Sequence, residues 1–178
     1  MHTLQNVILI ALLCCAAWHD IRYYRIPNVL VFSGAIVGVL LNFLLPQDSG
    51  ELGLLTSLGG LAVGLAILLP LYLLRALGAG DVKLMAMVGI FVGPDNMLIA
   101  TVHIVLAGGT LAIIILLLRD KFTKLMDNFK ILLLMHLTGS STLVFFSKES
   151  GIESAAKLPY GVAIASGTIT YLVANQFE

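Results

Sequence analysis

The feature that most constrains this chain is a series of long apolar segments recurring along nearly its whole length. Only 11% of the residues are charged and 59% are hydrophobic, whereas soluble domains carry about 25% charged residues. Backbone polar groups inside a bilayer must find partners within the protein, so these segments are expected to be α-helices. We predict one all-α membrane domain over residues 1–178 with about six transmembrane helices. The spans are expected near 4–19, 28–45, 54–74, 82–98, 99–118 and 158–175.

The segment 119–157 separates the last two predicted spans and carries mixed signals. Its apolar part, 131–146, is interrupted by His136 and by the polar cluster at 139–142. We interpret 131–146 as interfacial or re-entrant within a cytoplasmic segment, and a seventh span is the alternative.

The basic residues indicate the orientation of the bundle. With the N-terminus outside, all ten lysines and arginines fall in the inside segments 20–27, 75–83 and 119–157. Lysine and arginine are retained on the cytoplasmic side of a membrane. We therefore predict a multi-pass protein of the inner (plasma) membrane with these segments in the cytoplasm. The net charge is zero and the chain has no basic block, so nucleic acid is not an expected partner.

Two aspartates are predicted at the same membrane face. Asp20 ends the first span, Asp81 precedes the fourth, and two complete crossings lie between them. A carboxylate at a membrane is costly and is kept for function or paired with a base. Pairing with Arg22, Arg25 or Lys83 as ordinary interfacial charges is the alternative.

The residues before Asp81 favour a catalytic role. Gly78 and Gly80 flank Ala79 there, and glycines let another backbone approach closely. Two neighbouring carboxyls share one proton. The ionised member then activates water while the protonated member polarises a carbonyl. We predict an aspartyl protease site with Asp20 and Asp81 as the catalytic pair, in roles the sequence leaves open. The alternative is a small transporter that uses both acids as a proton relay.

Two motifs and the start of the last span resemble a known family, the type IV prepilin peptidases. These GxGD aspartyl proteases include archaeal preflagellin peptidases. This chain resembles the short members of the family, such as the Flp/Tad-type and archaeal enzymes. The resemblance extends over about residues 10–175. The motifs are Asp20 with Ile26-Pro27-Asn28, the G-x-G-D-x-K pattern of Gly78, Gly80, Asp81 and Lys83, and Leu158-Pro159-Tyr160-Gly161.

The resemblance implies removal of the short, positively charged leader of prepilins or prepilin-like proteins at the cytoplasmic face. Longer members carry paired C-x-x-C motifs and also methylate the new N-terminus. Because this sequence has no C-x-x-C pair, no N-methylation and no cofactor are expected. The resemblance also gives the residues expected to shape the site or bind substrate, which are Gly78, Gly80, Lys83, Pro27 and Asn28.

Some of these residues have structural interpretations as well. Pro27 and Asn28 are typical of a helix start, and Asn28 is a candidate to orient Asp20. Lys83 is a candidate to lower the pKa of one aspartate and a marker of the inner membrane boundary, and the two roles are compatible. The four histidines have no common spacing, so no metal site is predicted.

Overall fold

The regular structure of the protein is helical. The computed structural model describes residues 2–44, 53–118 and 159–175, and these ranges contain no strand. The all-α prediction is therefore confirmed, while the interpretation of 119–157, with 131–146, lies outside the described residues. The six helices in these ranges are α1 (His2–Tyr23), α2 (Asn28–Leu44), α3 (Leu54–Leu73), α4 (Ala79–Val92), α5 (Pro94–Leu118) and α6 (Tyr160–Ala174).

Several of these helices suit a lipid bilayer. Within the described ranges, three helical segments are long and apolar enough to cross a membrane, namely Leu4–Tyr23, Leu54–Leu73 and Pro94–Ile115. Helices α2 and α6 are apolar but shorter. By length and composition the chain is thus a helical membrane protein. The outside location of its N-terminus stays a prediction.

Contacts between residues divide the chain into two compact units. The first contains Met1–Gly108 together with Pro159–Glu178, and the second contains Gly109–Leu158. Of the second unit, the described part is the end of α5. The candidate site lies in the first unit. The expectation of one domain over 1–178 stays a prediction.

The fourth and fifth predicted spans, near 82–98 and 99–118, are separated in the sequence by the turn residues Gly93-Pro94-Asp95-Asn96. The structure has its break at the start of that turn, where α4 ends at Val92 and α5 begins at Pro94. Gly93 between them has φ 83°, a conformation that glycine adopts without a steric penalty. Proline fits the first turn of a helix, where its missing N–H is not needed. The turn residues from Gly93 onward indicate this break, whereas the apolar pattern by itself continues across it.

Helix α4 is the centre of the first unit. All residues from 84 to 92 are buried, and α3 packs against this helix through glycines. A Cβ at Gly60 would overlap the carbonyl oxygen of Gly89, and one at Gly64 would lie 2.5 Å from the carbonyl oxygen of Met85. The two α3 glycines thus let the helix backbones touch, as small residues do in membrane bundles.

A buried polar link fixes the end of α4 away from Asp81. Asn42 of α2 donates from Nδ2 to the carbonyl oxygens of Gly38 at 3.0 Å and Ile90 at 3.1 Å. Gln5 of α1 donates from Nε2 to Asn42 Oδ1 at 3.2 Å. Because buried polar groups need partners, this link holds α1, α2 and α4 in one register. The opposite end of α4 carries Asp81.

Candidate active site

Asp20 is a buried acid in the last turn of α1, with 5% of its surface exposed. The helix ends beyond it because Tyr24 has φ 51°, and the Tyr24 N–H donates to the Asp20 carbonyl at 2.8 Å. The N–H of Gly161, in the first turn of α6, donates to Asp20 Oδ2 at 2.8 Å. A Cβ on Gly161 would lie 2.9 Å from that oxygen. The close approach of α6 to Asp20 therefore requires glycine.

Asp81 is held by the glycine turn that begins α4. The Gly78 N–H donates to Asp81 Oδ2 at 3.1 Å, and the Asp81 N–H donates back to the Gly78 carbonyl at 3.2 Å. An acid in the first turn of a helix also interacts favourably with its free N–H groups. Local backbone geometry thus sets the orientation of this carboxylate.

Both carboxylates line one cleft of about 240 Å³. Within the described ranges each is bound through one oxygen to a glycine N–H, and neither forms an ion pair. The alternative of ordinary pairing with neighbouring arginines or Lys83 is therefore not seen in this part of the chain. The other cleft residues are Tyr24, Arg25, Ile26 and Asn28 from the α1–α2 connection and Gly78, Ala79 and Gly80 from the start of α4.

The two sequence motifs touch at Gly80. A Cβ built on Gly80 would lie 3.2 Å from the Cβ of Ile26, closer than ordinary van der Waals contact. Ile26 itself is buried. The second glycine of the G-x-G-D pattern thus makes room for the connection that follows Asp20. This contact brings the segment after Asp20 against the segment before Asp81.

Lys83 and Asn28 form a second bridge between the motifs. Lys83 Nζ donates to Asn28 Oδ1 at 3.0 Å and lies 5.4 Å from the centroid of the Phe32 ring. Asn28 therefore orients Lys83, and within the described residues no hydrogen bond joins Asn28 to Asp20. Pro27 precedes α2, and its carbonyl accepts a 3.4 Å hydrogen bond from the Val31 N–H.

The electrostatic environment of Asp81 favours its neutral form. Asp81 lies before the apolar run that starts at Val82, outside the predicted spans. Burial raises the pKa of Asp81 from 3.8 to about 6, with a second, smaller contribution from the charge of Asp20, while the Gly78 N–H acts in the opposite direction. The negative charge of Asp20 thus contributes to the raised pKa of Asp81, after burial.

Two further residues belong to this neighbourhood and were not predicted as site residues. Gly161 binds Asp20, and the proline-tyrosine-glycine opening of the last span was the sequence signal for it. His19 Nδ1 lies 2.6 Å from the carbonyl oxygen of Arg25, a contact that the spacing of the four histidines does not indicate. Among the described residues, no group of three or more His, Cys, Asp or Glu side chains is placed to hold a metal ion.

Comparison with protein families identifies the chain. Residues 7–118 match the type IV leader peptidase family, and this match includes Asp20, Asp81 and all the other residues that line the cleft. No curated protein and no solved structure gave a significant match. The family match covers more than half of the 178 residues. The chain therefore belongs to the type IV leader peptidase family.

Proposed function

We propose that this protein is a membrane-embedded aspartyl endopeptidase that removes the leader of type IV prepilins or prepilin-like proteins at the cytoplasmic face. Membership of a leader peptidase family indicates a peptidase with prepilin-like substrates. The observation that carries the aspartyl mechanism is the shared cleft of Asp20 and Asp81. The distribution of lysine and arginine supports the cytoplasmic location of this cleft.

The hydrogen bonds of the two carboxyls suit a shared proton. Gly161 and Gly78 each occupy the Oδ2 atom of one aspartate, which leaves both Oδ1 atoms without a partner among the described residues. Two close carboxyls do not easily ionise together, so one retains its proton. The pair then offers one base and one acid to the cleft. The chemistry is the same whichever aspartate is the base.

This pair would hydrolyse a peptide bond in two steps, the addition of water and the breakdown of the gem-diol. The ionised carboxyl takes a proton from water while the water oxygen attacks the scissile carbonyl carbon, and the protonated carboxyl donates its proton to the carbonyl oxygen. In the resulting gem-diol the C–N bond breaks, and the nitrogen takes the proton that the base had accepted. One gem-diol hydroxyl returns its proton to the other carboxyl. The products are an acid and an amine, and the pair again holds one proton.

The wall of the cleft suits an extended peptide. Gly78, Ala79 and Gly80 present little or no side chain along one side of it, so the backbone of a substrate has room to approach. A helical segment must unwind before its amide bond is accessible to water, and backbone groups without side chains offer it hydrogen-bonding partners. The reaction needs only water and two carboxyls, and we expect it to proceed without a cofactor.

A cleavage assay tests this proposal. Purified protein in detergent is mixed with a prepilin-like substrate, and the wild type is compared with Asp20→Asn and Asp81→Asn. The matched control is Asp95→Asn, because Asp95 is an exposed acid in the first turn of α5. We expect the two site variants to lose at least about 1,000-fold in rate, with the control unchanged.

Two results would contradict the proposal. Normal cleavage by either site variant would exclude the carboxyl pair as the catalytic group. Failure of well-folded wild type to cleave any prepilin-like substrate would exclude the leader peptidase activity. A proton-flux measurement would then test the transporter alternative.

A further inference from the structure

The side chain of His19 is bonded to the connection between α1 and α2. Its Nδ1 lies 2.6 Å from the carbonyl oxygen of Arg25. A carbonyl oxygen only accepts hydrogen bonds, so Nδ1 carries the proton and donates it. The imidazole also packs against the Tyr23 ring, with 4.6 Å between the ring centroids. The histidine is therefore fixed on one side by α1 and holds the connection on the other.

Little else fixes the backbone of this connection. The helical hydrogen bonds of α1 end where the Tyr24 N–H meets the Asp20 carbonyl, and the next bond joins the Val31 N–H to the Pro27 carbonyl. Tyr24 has φ 51°, an uncommon conformation for a bulky residue that the surroundings must maintain. Among the described residues, the bond from His19 is the hydrogen bond that reaches the backbone between these two bonds, at Arg25 and Ile26.

The restrained stretch is part of the cleft. Tyr24, Arg25 and Ile26 all line it, and the Ile26 side chain contacts Gly80 of the glycine turn. The position of the Arg25 carbonyl therefore sets where Ile26 rests on the segment that carries Asp81. Asp20 lies in the last turn of α1, immediately before the same connection.

We propose that His19 is a positioning residue of the peptidase. Its Nδ1–H bond to the Arg25 carbonyl fixes the α1–α2 connection and thereby the separation of Asp20 from Asp81. The role rests on the proposed function and requires no contact with substrate. A misplacement of catalytic groups by about 1 Å costs on the order of 100-fold in rate. Because His19 does not contact substrate in this role, loss of its hydrogen bond is expected to lower kcat and to leave KM unchanged.

Three variants test the role of the donor. His19→Leu removes the hydrogen bond, whereas His19→Asn keeps an N–H donor near the position of Nδ1. The matched control is His103→Leu, because His103 Nδ1 also lies 3.0 Å from a backbone carbonyl, that of Ile99, but away from the cleft. We expect His19→Leu to lower kcat at least about 10-fold with KM within about 2-fold of wild type. The asparagine variant should stay within about 3-fold of wild type in kcat, and the control should match wild type.

A cross-linking measurement tests the geometry without peptidase activity. A Cβ on Gly80 would lie 3.2 Å from Ile26 Cβ, close to the separation of about 3.5–4.5 Å found in disulfides. The double variant Ile26→Cys/Gly80→Cys is made with Cys14 and Cys15 replaced by alanine. We expect the disulfide to form at least about five-fold more slowly when His19→Leu is added.

The outcomes separate this inference from the proposed function. If His19→Leu cleaves at the wild-type rate, or if His19→Asn loses as much activity as His19→Leu, the positioning role is overturned. An unchanged cross-linking rate would overturn it as well. If the wild type does not cleave, the proposed function fails, and the cross-linking rate still decides whether His19 sets the contact between Ile26 and Gly80.

Discussion

Substitution of Gly161 by alanine tests how rigidly α6 holds Asp20. The added Cβ would lie 2.9 Å from Asp20 Oδ2, 3.1 Å from its Cβ and 3.2 Å from its Cγ, whereas ordinary contacts begin at 3.4 Å. The carboxylate oxygen must therefore withdraw from 2.9 to 3.4 Å, a shift of 0.5 Å. The same shift lengthens the 2.8 Å hydrogen bond from the Gly161 N–H.

The expected loss of activity is larger than the loss of stability. Alanine is favoured over glycine inside a helix by about 1 kcal/mol, while overpacking costs about 1–3 kcal/mol. The net change in the free energy of unfolding is therefore a loss of about 2 kcal/mol at most. Catalytic groups must be held within about 0.5 Å of their productive positions, and a misplacement of about 1 Å costs on the order of 100-fold in rate. A shift at the limit of this tolerance should therefore lower the cleavage rate about 10- to 100-fold.

The assay measures kcat/KM for leader removal and the melting temperature of Gly161→Ala in detergent. Its matched control is Gly108→Ala in α5, where a Cβ would lie 3.5 Å from the Cβ of Ala163, an ordinary contact with the same helix α6. We expect wild-type activity and unchanged or higher stability for the control. Wild-type cleavage by Gly161→Ala would refute the close hold of α6 on Asp20. An equal loss in both variants would point to α5–α6 packing instead.

The remaining predictions concern the charge of Asp81 and the contact between α3 and α4. Because the pKa of Asp81 is raised from 3.8 to about 6, the protonated form stabilises the fold at low pH, and this stability is lost as the pH rises through 6. The side chain of Asp81→Asn stays neutral, so the free energy of unfolding of this variant should exceed that of wild type by roughly 1–2 kcal/mol at about pH 7.5 and match it near pH 4. An equal difference in stability at both pH values, measured by thermal unfolding, would refute this. Gly60→Ala would drive a Cβ into the carbonyl of Gly89 and should cost about 3 kcal/mol or more. The control Gly59→Ala, 3.6 Å from Pro94 Cγ, should change the unfolding free energy by less than about 1 kcal/mol, and similar melting temperatures for both variants would contradict the close packing.

The helices were predictable from the sequence, but their ends were less so. The apolar stretches near 28–45 and 54–74 became α2 and α3 nearly as expected, because burial in lipid requires a continuous apolar helix. The turn residues from Gly93 to Asn96 indicated the break between α4 and α5, although the predicted spans were divided between 98 and 99. Hydropathy alone does not register a change of φ at one glycine, and the residues after Asn96 are again apolar.

Part of the candidate site also followed from the sequence. The parity of membrane crossings placed Asp20 and Asp81 at one face, and both line one cleft; their catalytic roles stay proposals. The hydrogen-bond partners of the site side chains could not be predicted from the sequence. Gly161 is 141 residues from Asp20, and Lys83 is 55 residues from Asn28. Such bonds depend on how distant helices pack, which local spacing does not determine.

The choice of partners for the two carboxyls has a physical consequence. Gly78 and Gly161 orient them through neutral backbone N–H groups, while the nearby cation of Lys83 is bonded to Asn28. A lysine or arginine bound to either carboxylate would stabilise its charged form strongly, and both members would then ionise at neutral pH. A neutral donor orients one carboxyl oxygen and lowers the pKa of that carboxyl less than a bound cation would. It also leaves the second oxygen for water or the shared proton. Glycine supplies this donor without a side chain of its own, which at Gly161 permits the close approach of α6 to Asp20 and at Gly78 leaves the wall of the cleft without a side chain.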